Sequence, residues 1–278
     1  IRNWSKDKLD LLAKYLRAYS LIMRSQKQTW LRGYRYIDAF ASTGKHLDSD
    51  AQEYVDGSPF VALRCDPPFD DCIFIELSQA RLSALEARVR SQFPERSVSF
   101  LPGDANDILR QRVVPKMSKS SGWRGLIFLD PYGLEVDFET IKLIAKAGTL
   151  DVFINFSVMG VIRNLERERV PDERTTELLT RVMGDSVWAT ELYAIQGGLF
   201  GEDRASRPTL QATRVANLYL ERVKKLLPNV SRPVLMRNSR GAPLYVLFLA
   251  SHKPVALKIT NDIFRTYETL RVQDRPNP

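Results

Sequence analysis

Apolar residues recur at helical spacing near the start of the chain. Within residues 7–24, the positions that recur every three or four residues are Leu9, Leu12, Tyr15, Leu16, Tyr19 and Met23. Such spacing places apolar side chains on one face of a helix. The pattern therefore predicts an amphipathic helix that begins the fold.

Five short apolar runs rich in β-branched and aromatic residues follow this helix, at 34–40, 72–77, 98–101, 126–129 and 152–156. Segments of helical period separate them, at 58–64, 78–93, 106–114 and 138–147. Neighbouring parallel strands need a crossover connection, which a helix supplies. The alternation therefore predicts a parallel sheet.

The later chain departs from this alternation. Residues 160–206 are polar and helical in character, which is typical of an insertion. A helix is predicted at about 209–227, and apolar runs at 233–237 and 244–250 flank a turn that contains Gly and Pro, so they predict an antiparallel hairpin. This order resembles the α/β, Rossmann-like fold of class I methyltransferases, with a mainly parallel seven-stranded sheet and a terminal β-hairpin. We expect residues 1–278 to form a single domain of this kind, with the helical insertion at 160–206 inside it.

Composition indicates a folded protein. Of the 278 residues, 44% are hydrophobic and 27% are charged, which suffices for a large core. No run approaches the roughly 18 apolar residues that a membrane span needs, and the charged N-terminus is unlike a signal peptide. We therefore expect a cytoplasmic protein without membrane contact. Cys65 and Cys72 are too few for a disulfide framework, and with His46 and His252 far apart in sequence we expect no metal site.

The net charge of +8 is distributed unevenly along the chain. Residues 1–36 hold 9 Lys and Arg against 2 Asp and Glu, and residues 206–278 hold 13 against 4, so these segments carry +7 and +9. The middle of the chain therefore carries −8. Basic terminal segments indicate binding to a polyanion such as DNA or RNA, although solvated helix faces have the same composition.

The first candidate site follows the first predicted strand, where residues 36–44 read Tyr-Ile-Asp-Ala-Phe-Ala-Ser-Thr-Gly. In doubly wound sheets, ligands bind outside the carboxyl ends of the strands, where small residues let the backbone approach. Asp38 and Gly44 are therefore expected at the mouth of a cleft. The stretch resembles the first motif of methyltransferases that use S-adenosylmethionine, with Asp38, Phe40, Ala41 and Gly44 in place and Ser42 where a glycine is usual.

Two other interpretations of this loop fail on spacing. A phosphate-binding loop requires glycine at the position of Ala39 and Ser or Thr at the position of His46. Ser42 to Lys45 also matches Ser-x-x-Lys, but the accompanying Ser-Asp-Asn and Lys-Thr-Gly elements are absent from the sequence.

Asn155 lies at the end of the fifth predicted strand, beside the same cleft, and no role is assigned to it. Acidic residues end the second and third predicted strands. Glu76 follows Ile75, and an acidic side chain there can accept hydrogen bonds from both ribose hydroxyls of an adenosine ligand. Asp104 follows Gly103 and is placed to hold an adenine amino group. Asn106 is expected to cap the next helix, and a cap is the structural alternative for Asp104 too.

The fourth predicted strand carries the sharpest signal, because it runs into Asp130-Pro131-Tyr132-Gly133. This resembles the Asp/Asn-Pro-Pro-Tyr/Phe motif of methyltransferases that act on base amino groups, with Tyr132 at the second Pro and Gly133 at the usual aromatic position. Asp130 and the Pro131 carbonyl would accept hydrogen bonds from an exocyclic amine, while an aromatic ring stacks on the base. An ordinary turn is the alternative.

A second string, Asp66-Pro67-Pro68-Phe69, matches that motif literally. It follows a predicted helix and precedes a strand, so it is expected at the amino end of the sheet, opposite the site. Transfer to carbon 5 of a base would need a thiolate after the fourth strand, where the sequence has Asp-Pro-Tyr. The residues therefore favour transfer to nitrogen over transfer to oxygen or carbon.

Six segments taken together, 38–44, 57–59, 75–76, 103–106, 129–133 and 247–254, resemble the bacterial three-Cys-motif partner protein family. The similarity covers most of the chain outside the insertion. It implies a class I methyltransferase fold, a role connected with nucleic acid, and association with a separate cysteine-motif protein.

We therefore expect an enzyme that transfers a methyl group from S-adenosylmethionine to a base nitrogen of DNA or RNA, with an amino nitrogen favoured. The target would be positioned by Asp130, Pro131 and Tyr132. The residues expected to hold the cofactor are Asp38, Phe40, Ala41, Gly44, Ser58, Glu76, Asp104 and Ala105. Two alternatives stay open: a catalytically inactive, methyltransferase-like subunit that binds nucleic acid for another enzyme, and a different reaction on a modified nucleotide.

Overall fold

Ten strands are formed in the part of the chain that the structure describes. The structure is a computed structural model and describes residues 3–48, 53–165, 171–194, 207–238 and 240–273. The strands are β1 Gly33–Asp38, β2 Lys45–Asp48, β3 Glu53–Asp56, β4 Asp71–Glu76, β5 Val98–Pro102, β6 Trp123–Leu129, β7 Leu150–Phe156, β8 Asn229–Val230, β9 Val234–Arg237 and β10 Pro243–Ser251. The main sheet has the order β5-β4-β1-β6-β7-β10-β8, with β9 also paired to β10. The first five strands of this order are parallel, as predicted.

Strand β10 runs antiparallel to its neighbours. It pairs with β7 on one side and with β9 and β8 on the other, which confirms the predicted hairpin. Ser231, between β8 and β9, donates its N–H to the Leu249 carbonyl at 2.8 Å and accepts from the Leu249 N–H at 3.0 Å. Pro233 cannot donate to a ladder and interrupts the pairing here. Strands β8 and β9 therefore act as one broken strand, and the sheet has the seven positions that the sequence predicted.

Helices cover both faces of this sheet. They are α1 Asn3–Gln26, α2 Ser58–Leu63, α3 Gln79–Gln92, α4 Ala105–Ile108, α5 Phe138–Ala147, α6 Val158–Asn164, α7 Glu173–Met183, α8 Val187–Ala194, α9 Arg207–Lys224 and α10 Pro254–Gln273. Side chains alternate along the strands, so that Leu126 and Phe128 of β6 pack under α1, α2, α3 and α10, whereas Ile127 and Leu129 pack under the other helices. Burial on both faces explains why the strands are continuous apolar runs.

Two elements were not predicted. Strands β2 and β3 form a separate antiparallel hairpin directly after the first candidate loop. Helix α10 follows the terminal hairpin and packs against α1. Its signal was present in the sequence, because Ala256, Ile259, Ile263 and Phe264 recur at helical spacing.

The predicted insertion at 160–206 is described in part. Helices α6, α7 and α8 fall in or next to it, whereas residues 166–170 and 195–206 lie outside the described residues. The single-domain boundary and the insertion therefore stay predictions. Of the helices in the described ranges, none has both the length and the low polarity needed to cross a membrane.

Asp151, near the start of β7, connects three elements of the fold. Its carboxylate accepts from the Tyr15 hydroxyl of α1 at 3.2 Å and from the Ser251 hydroxyl of β10 at 2.5 Å. Burial raises the pKa of Asp151 to about 6. These hydrogen bonds fix α1 across the neighbouring strands β7 and β10.

The raised pKa predicts a pH-dependent stability. The folded protein holds the Asp151 proton up to about pH 6, whereas the unfolded chain loses it near pH 3.8, so the unfolded state binds fewer protons in this interval. The contribution of Asp151 to the free energy of unfolding therefore falls as the pH rises from about 4 to about 6. Asparagine cannot ionise, so we expect the free energy of unfolding of Asp151→Asn to fall by about 2–3 kcal/mol less than that of the wild type over this pH interval. Urea unfolding at several pH values measures it, with exposed Asp10→Asn as the control. Identical slopes for Asp151→Asn and the wild type would contradict the assignment.

Candidate functional site

The carboxyl edge of the parallel strands gathers the polar residues that the sequence singled out. Asp38 ends β1 and Glu76 ends β4, Asp104 follows β5, Asp130 follows β6, and Asn155 lies one residue before the end of β7. The strand order therefore sets them in the row Asp104, Glu76, Asp38, Asp130, Asn155. Their position at one edge is as predicted.

Asp38 lies deeper than the sequence predicted. Its carboxylate is fully buried and accepts from the Tyr36 hydroxyl at 3.1 Å and from the Phe40 N–H at 3.2 Å, with a further hydrogen bond from the Ser58 side chain. Burial raises the pKa of Asp38 to about 6, and the nearby charge of Asp130 adds to the increase. Asp38 is therefore beneath the loop and not at the mouth of a cleft, because groups of its own strand and loop and Ser58 of α2 satisfy its carboxylate.

The loop after β1 is held by packing. Gly44 has a φ of +66°, and a Cβ there would lie 2.7 Å from both Phe60 and Leu85, so this glycine permits a close internal approach. Its predicted place at the cleft mouth is thus wrong, since Gly44 is buried. Ala41 is also buried and donates its N–H to the Ile75 carbonyl. Ser42 has a φ of 51°, a left-handed conformation that favours glycine and explains why glycine is usual at this position.

The Glu76 carboxylate is engaged by protein groups. One oxygen accepts from the Ser42 N–H at 3.0 Å, and the other accepts from the Ser78 N–H at 2.9 Å and pairs with Arg81 Nε at 3.0 Å. Arg81 is 45% exposed, so its side chain can leave without opening the core. The adjacent Leu77 is 72% exposed and is not among the site residues predicted from the sequence. The sequence signal for Leu77 is a large apolar residue directly after the acidic residue that ends a strand.

Asp104 is the N-cap of α4. Its Oδ1 accepts from the N–H groups of Asn106 at 2.9 Å and Asp107 at 3.1 Å, and the side chain is exposed at the edge. The expectation that Asn106 caps this helix is therefore wrong, because the cap is Asp104. Of the other predicted cofactor residues, Ala105 is buried and Phe40 is half-buried.

Asn106 instead fixes the segment that follows the Asp130 motif. Its Nδ2 donates to the Glu135 carbonyl at 2.8 Å, and its Oδ1 accepts from the Asp137 N–H and the Thr140 hydroxyl, both at 2.9 Å. The Asn106 side chain is buried, so these bonds form away from water. Sequence reasoning missed this role because the partners lie about thirty residues away.

Asp130 has a partner on each carboxylate oxygen. Asn155 Nδ2 donates to Oδ1 at 2.8 Å, and Lys8 Nζ from α1 lies 2.5 Å from Oδ2. The Asp130 side chain is 15% exposed. In the described part of the chain, the buried Asn155 Oδ1 has no hydrogen-bond partner, so a second acceptor lies beside Asp130.

Tyr132 has a fixed backbone and an exposed side chain. Its N–H donates to Glu135 Oε2 at 2.9 Å, and its carbonyl accepts from the Tyr245 hydroxyl at 3.1 Å. The Tyr132 side chain is nevertheless 71% exposed. Pro131, before it, is buried. The motif thus presents an aromatic ring to solvent from a rigid backbone.

A cavity of about 360 Å³ lies beside Tyr132. Leu134, Met159 and Leu178 give it apolar walls, and Arg163 and Tyr245 add polar groups. Burial raises the pKa of Tyr245, and the charge of Asp130 adds to the increase, so its hydroxyl stays protonated. Helices α6 and α7 supply much of this wall, which the sequence could not place.

The second motif-like string lies at the opposite edge, as predicted. The Asp66–Phe69 segment precedes β4, and the Tyr34 hydroxyl, from the start of β1, donates to the Pro68 carbonyl at 2.8 Å. Phe69 is buried against Tyr19, with ring centroids 6.1 Å apart. Phe69 therefore anchors this segment to the core, and the segment is not part of the site.

The strand order, the antiparallel β10 and the row of polar strand ends define a Rossmann-like class I methyltransferase fold. Solved structures with a related arrangement include an O-methyltransferase from Bacillus cereus in complex with SAH, at 13% identity and a TM-score of 0.41, covering 86% of this chain and 80% of that one. Trm1 from Pyrococcus horikoshii with S-adenosyl-L-methionine has 12% identity and a TM-score of 0.40, covering 92% and 57%. Spermidine synthase from Thermotoga maritima has 11% identity and a TM-score of 0.42, covering 88% and 65%.

Similarities at this level do not assign a substrate or a cofactor to this chain. No protein-family model matches the sequence, so membership of the three-Cys-motif partner family is not shown. No curated protein matches it either.

The contacts of Asn106 predict a stability effect. In Asn106→Ala, the Glu135 carbonyl, the Asp137 N–H and the Thr140 hydroxyl lose their buried partner. We expect the free energy of unfolding to fall by about 2–4 kcal/mol, as measured by urea titration. The control is Asp107→Ala, which removes only an exposed ion pair with Arg110 and should cost less than about 1 kcal/mol. Equal losses in the two variants would contradict the role of Asn106.

Proposed function

We propose that this protein is a methyltransferase that uses S-adenosylmethionine and acts on an amino nitrogen of a nucleic-acid base. The observation that carries the proposal is the row of acidic and amide side chains at the ends of five neighbouring parallel strands. It occurs on a class I methyltransferase fold, with Asp130-Pro131-Tyr132 directly after β6.

The donor and acceptor set fits an adenosine ligand. Glu76 faces the edge with a carboxylate that can accept from ribose hydroxyls once Arg81 withdraws. Leu77 presents an exposed apolar surface to a planar ring, and the exposed Asp104 can accept from an exocyclic amine with its second oxygen. Asp38 supports this region from below, through the loop backbone at Phe40.

The bound cofactor would supply an electrophilic methyl group on a sulfonium. Asp130 and the Pro131 carbonyl would hold the target amine by accepting its hydrogens, which keeps the nitrogen lone pair directed at the methyl group. An ionised carboxylate accepts about four hydrogen bonds, so Asp130 retains capacity beyond its contacts with Lys8 and Asn155. The exposed ring of Tyr132 would stack on the base beside the cavity. A strong general base is not required, because the amine can lose its proton late.

Helix α1 offers a surface for the phosphates of DNA or RNA. Lys14, Arg17 and Arg24 are exposed, and the helical repeat sets them on one side over about 15 Å. The N-terminal half of the same helix reaches the candidate site through Lys8. An exposed basic face on the helix that also supplies Lys8 supports a nucleic-acid substrate.

The similarity to the three-Cys-motif partner family supports a separate cysteine-motif protein as a further partner and a bacterial origin. The two cysteines, Cys65 and Cys72, are buried free thiols, and burial raises the pKa of both. Free thiols fit the reducing cytoplasm. We therefore place the proposed activity there.

A second candidate function is a catalytically inactive subunit that binds nucleic acid. It is favoured by the occupied acceptors of the site, since Glu76 pairs with Arg81 and Asp130 pairs with Lys8. Such a subunit would bind DNA or RNA without binding S-adenosylmethionine. A different reaction on a modified nucleotide would appear as a product mass other than one added methyl group.

Two substitutions separate cofactor binding from methyl transfer. Asp130→Ala removes the acceptor for the target amine, so we expect methyl transfer to radiolabelled nucleic acid to fall about 100-fold or more. Calorimetry should then give an affinity for S-adenosylmethionine within about threefold of the wild type. Glu76→Gln should instead weaken that affinity about tenfold, because an amide accepts fewer hydrogen bonds than a carboxylate.

Circular dichroism of both variants controls for folding. Loss of cofactor binding in Asp130→Ala would show that Asp130 belongs to the cofactor site. A wild-type protein that binds nucleic acid but not S-adenosylmethionine would establish the inactive subunit instead.

The basic surface of α1 predicts a change in salt dependence. The triple variant Lys14→Gln, Arg17→Gln and Arg24→Gln should bind nucleic acid more weakly, with a salt slope reduced by roughly 2–3, because three phosphate contacts are lost. The matched control neutralises three lysines on the opposite helical layer, Lys146, Lys224 and Lys225. Fluorescence anisotropy at several salt concentrations measures the slopes. Equal reductions in both variants would argue for non-specific attraction by net charge.

A further inference from the structure

A lysine of the N-terminal helix is buried within the proposed target site. The side chain of Lys8 is 6% exposed, and its Nζ lies 2.5 Å from Asp130 Oδ2. The basic charge of residues 1–36 indicates binding to a polyanion, but this lysine faces inward. Because 122 residues separate the partners, only the folded chain brings them together.

Stability alone does not explain a charged residue at this position. Taking an ammonium group out of water is costly, and replacing a buried ion pair by apolar residues is often neutral or stabilising. The neighbouring inward positions of α1 are apolar, with Leu11 and Leu12 fully buried. A charged residue in this setting is therefore explained better by the carboxylate that it contacts.

The two partners of Asp130 hold its carboxylate from different layers. Lys8 approaches Oδ2 from the helix layer, and Asn155 donates to Oδ1 from the neighbouring strand at 2.8 Å. Contacts at both oxygens fix the plane of the carboxylate. A fixed acceptor is what a target amine needs, since small displacements of reacting groups cost large factors in rate.

A second carboxylate lies on the adjacent strand, and a cation beside Asp130 reduces the repulsion between the two. Asp38 ends the adjacent strand β1 and is fully buried, and the charge of Asp130 helps to raise its pKa. Two carboxylates on neighbouring strands repel each other and favour protonation of one of them. The ammonium group of Lys8 offsets this repulsion at Asp130.

We propose that Lys8 is a positioning residue for methyl transfer, which holds the Asp130 carboxylate in the orientation that accepts hydrogen bonds from the target amine. The inference rests on the proposed function. It makes α1 a part of the active site as well as a surface for phosphates.

The test is a double-mutant cycle between the two residues. Lys8→Met removes the charge and keeps the length of the side chain, so kcat at saturating nucleic acid should fall about tenfold or more. The KM for nucleic acid and the affinity for S-adenosylmethionine should each stay within about threefold of the wild type. Lys8→Arg retains the cation and should recover part of the lost kcat.

The double variant distinguishes positioning from a general effect on folding. Asp130→Asn alone leaves the Lys8 ammonium buried without its carboxylate, whereas Lys8→Met together with Asp130→Asn leaves a neutral acceptor beside an apolar side chain. We expect the double variant to exceed Asp130→Asn in both kcat and melting temperature.

The matched control is Lys27→Met. Lys27 also lies 2.5 Å from an aspartate, Asp70, but its side chain is 38% exposed and the pair is at the opposite edge of the sheet. The kcat of Lys27→Met should equal that of the wild type. All assays are run below the melting temperatures found by circular dichroism, so that each variant is folded.

Three results would overturn the inference. An active wild type with an equally active or faster Lys8→Met variant would show that Lys8 is structural or blocks the site. Effects of Lys8→Met and Asp130→Asn that simply multiply in the double variant would show that Lys8 acts elsewhere. A wild-type protein that transfers no methyl group would overturn the proposed function and, with it, this role of Lys8. The assay of the wild type shows this before any variant is made.

Discussion

The carboxyl edge of this sheet depends on the compensation of buried negative charge. The apolar strands β1 and β6 deliver Asp38 and Asp130 side by side, in an environment where an unpaired charge is expensive. Tyr36, Ser58 and the Phe40 N–H satisfy Asp38, while Lys8 and Asn155 satisfy Asp130. Helix α1 packs on the sheet through a buried apolar face, and this packing brings the Lys8 ammonium group to Asp130.

This compensation links the fold to both candidate functions. A carboxylate in a fixed orientation is a good hydrogen-bond acceptor for an amine, which suits an enzyme. A carboxylate that is paired with lysine, next to a Glu76 paired with Arg81, is also what a binding subunit without catalysis would show. The difference lies in whether Arg81 and Lys8 share these carboxylates with a ligand. Arg81 is half-exposed, so its side chain can move away from Glu76 when a ligand binds. Lys8 is buried and would stay in contact with Asp130, so a ligand would use the hydrogen-bond acceptor capacity of Asp130 that Lys8 and Asn155 leave open.

The alternation of apolar runs and helical segments was enough to predict the parallel strands, and the turn at 238–243 was enough to predict the hairpin of β9 and β10. Both signals are local, since they depend on side-chain period and on residues that favour turns. Helix α10 has an equally local signal, which is the helical spacing of Ala256, Ile259 and Ile263. The depth of Asp38 and Gly44 was not predictable in this way, because it depends on Ser58, Phe60 and Leu85, which approach from other elements.

The sequence by itself determined which residues end the parallel strands, and therefore that Asp38, Glu76, Asp104, Asp130 and Asn155 share one edge. This follows because the strand period and the direction of parallel strands are properties of the chain read in order. Only the tertiary structure decided which of these side chains is exposed at the edge, as Asp104 is, and which are buried against partners in the protein, as Asp38 and Asn155 are. Lys8 and Asp130, or Asn106 and Glu135, are far apart in sequence, and burial and hydrogen bonding between them arise only when the helices pack onto the sheet.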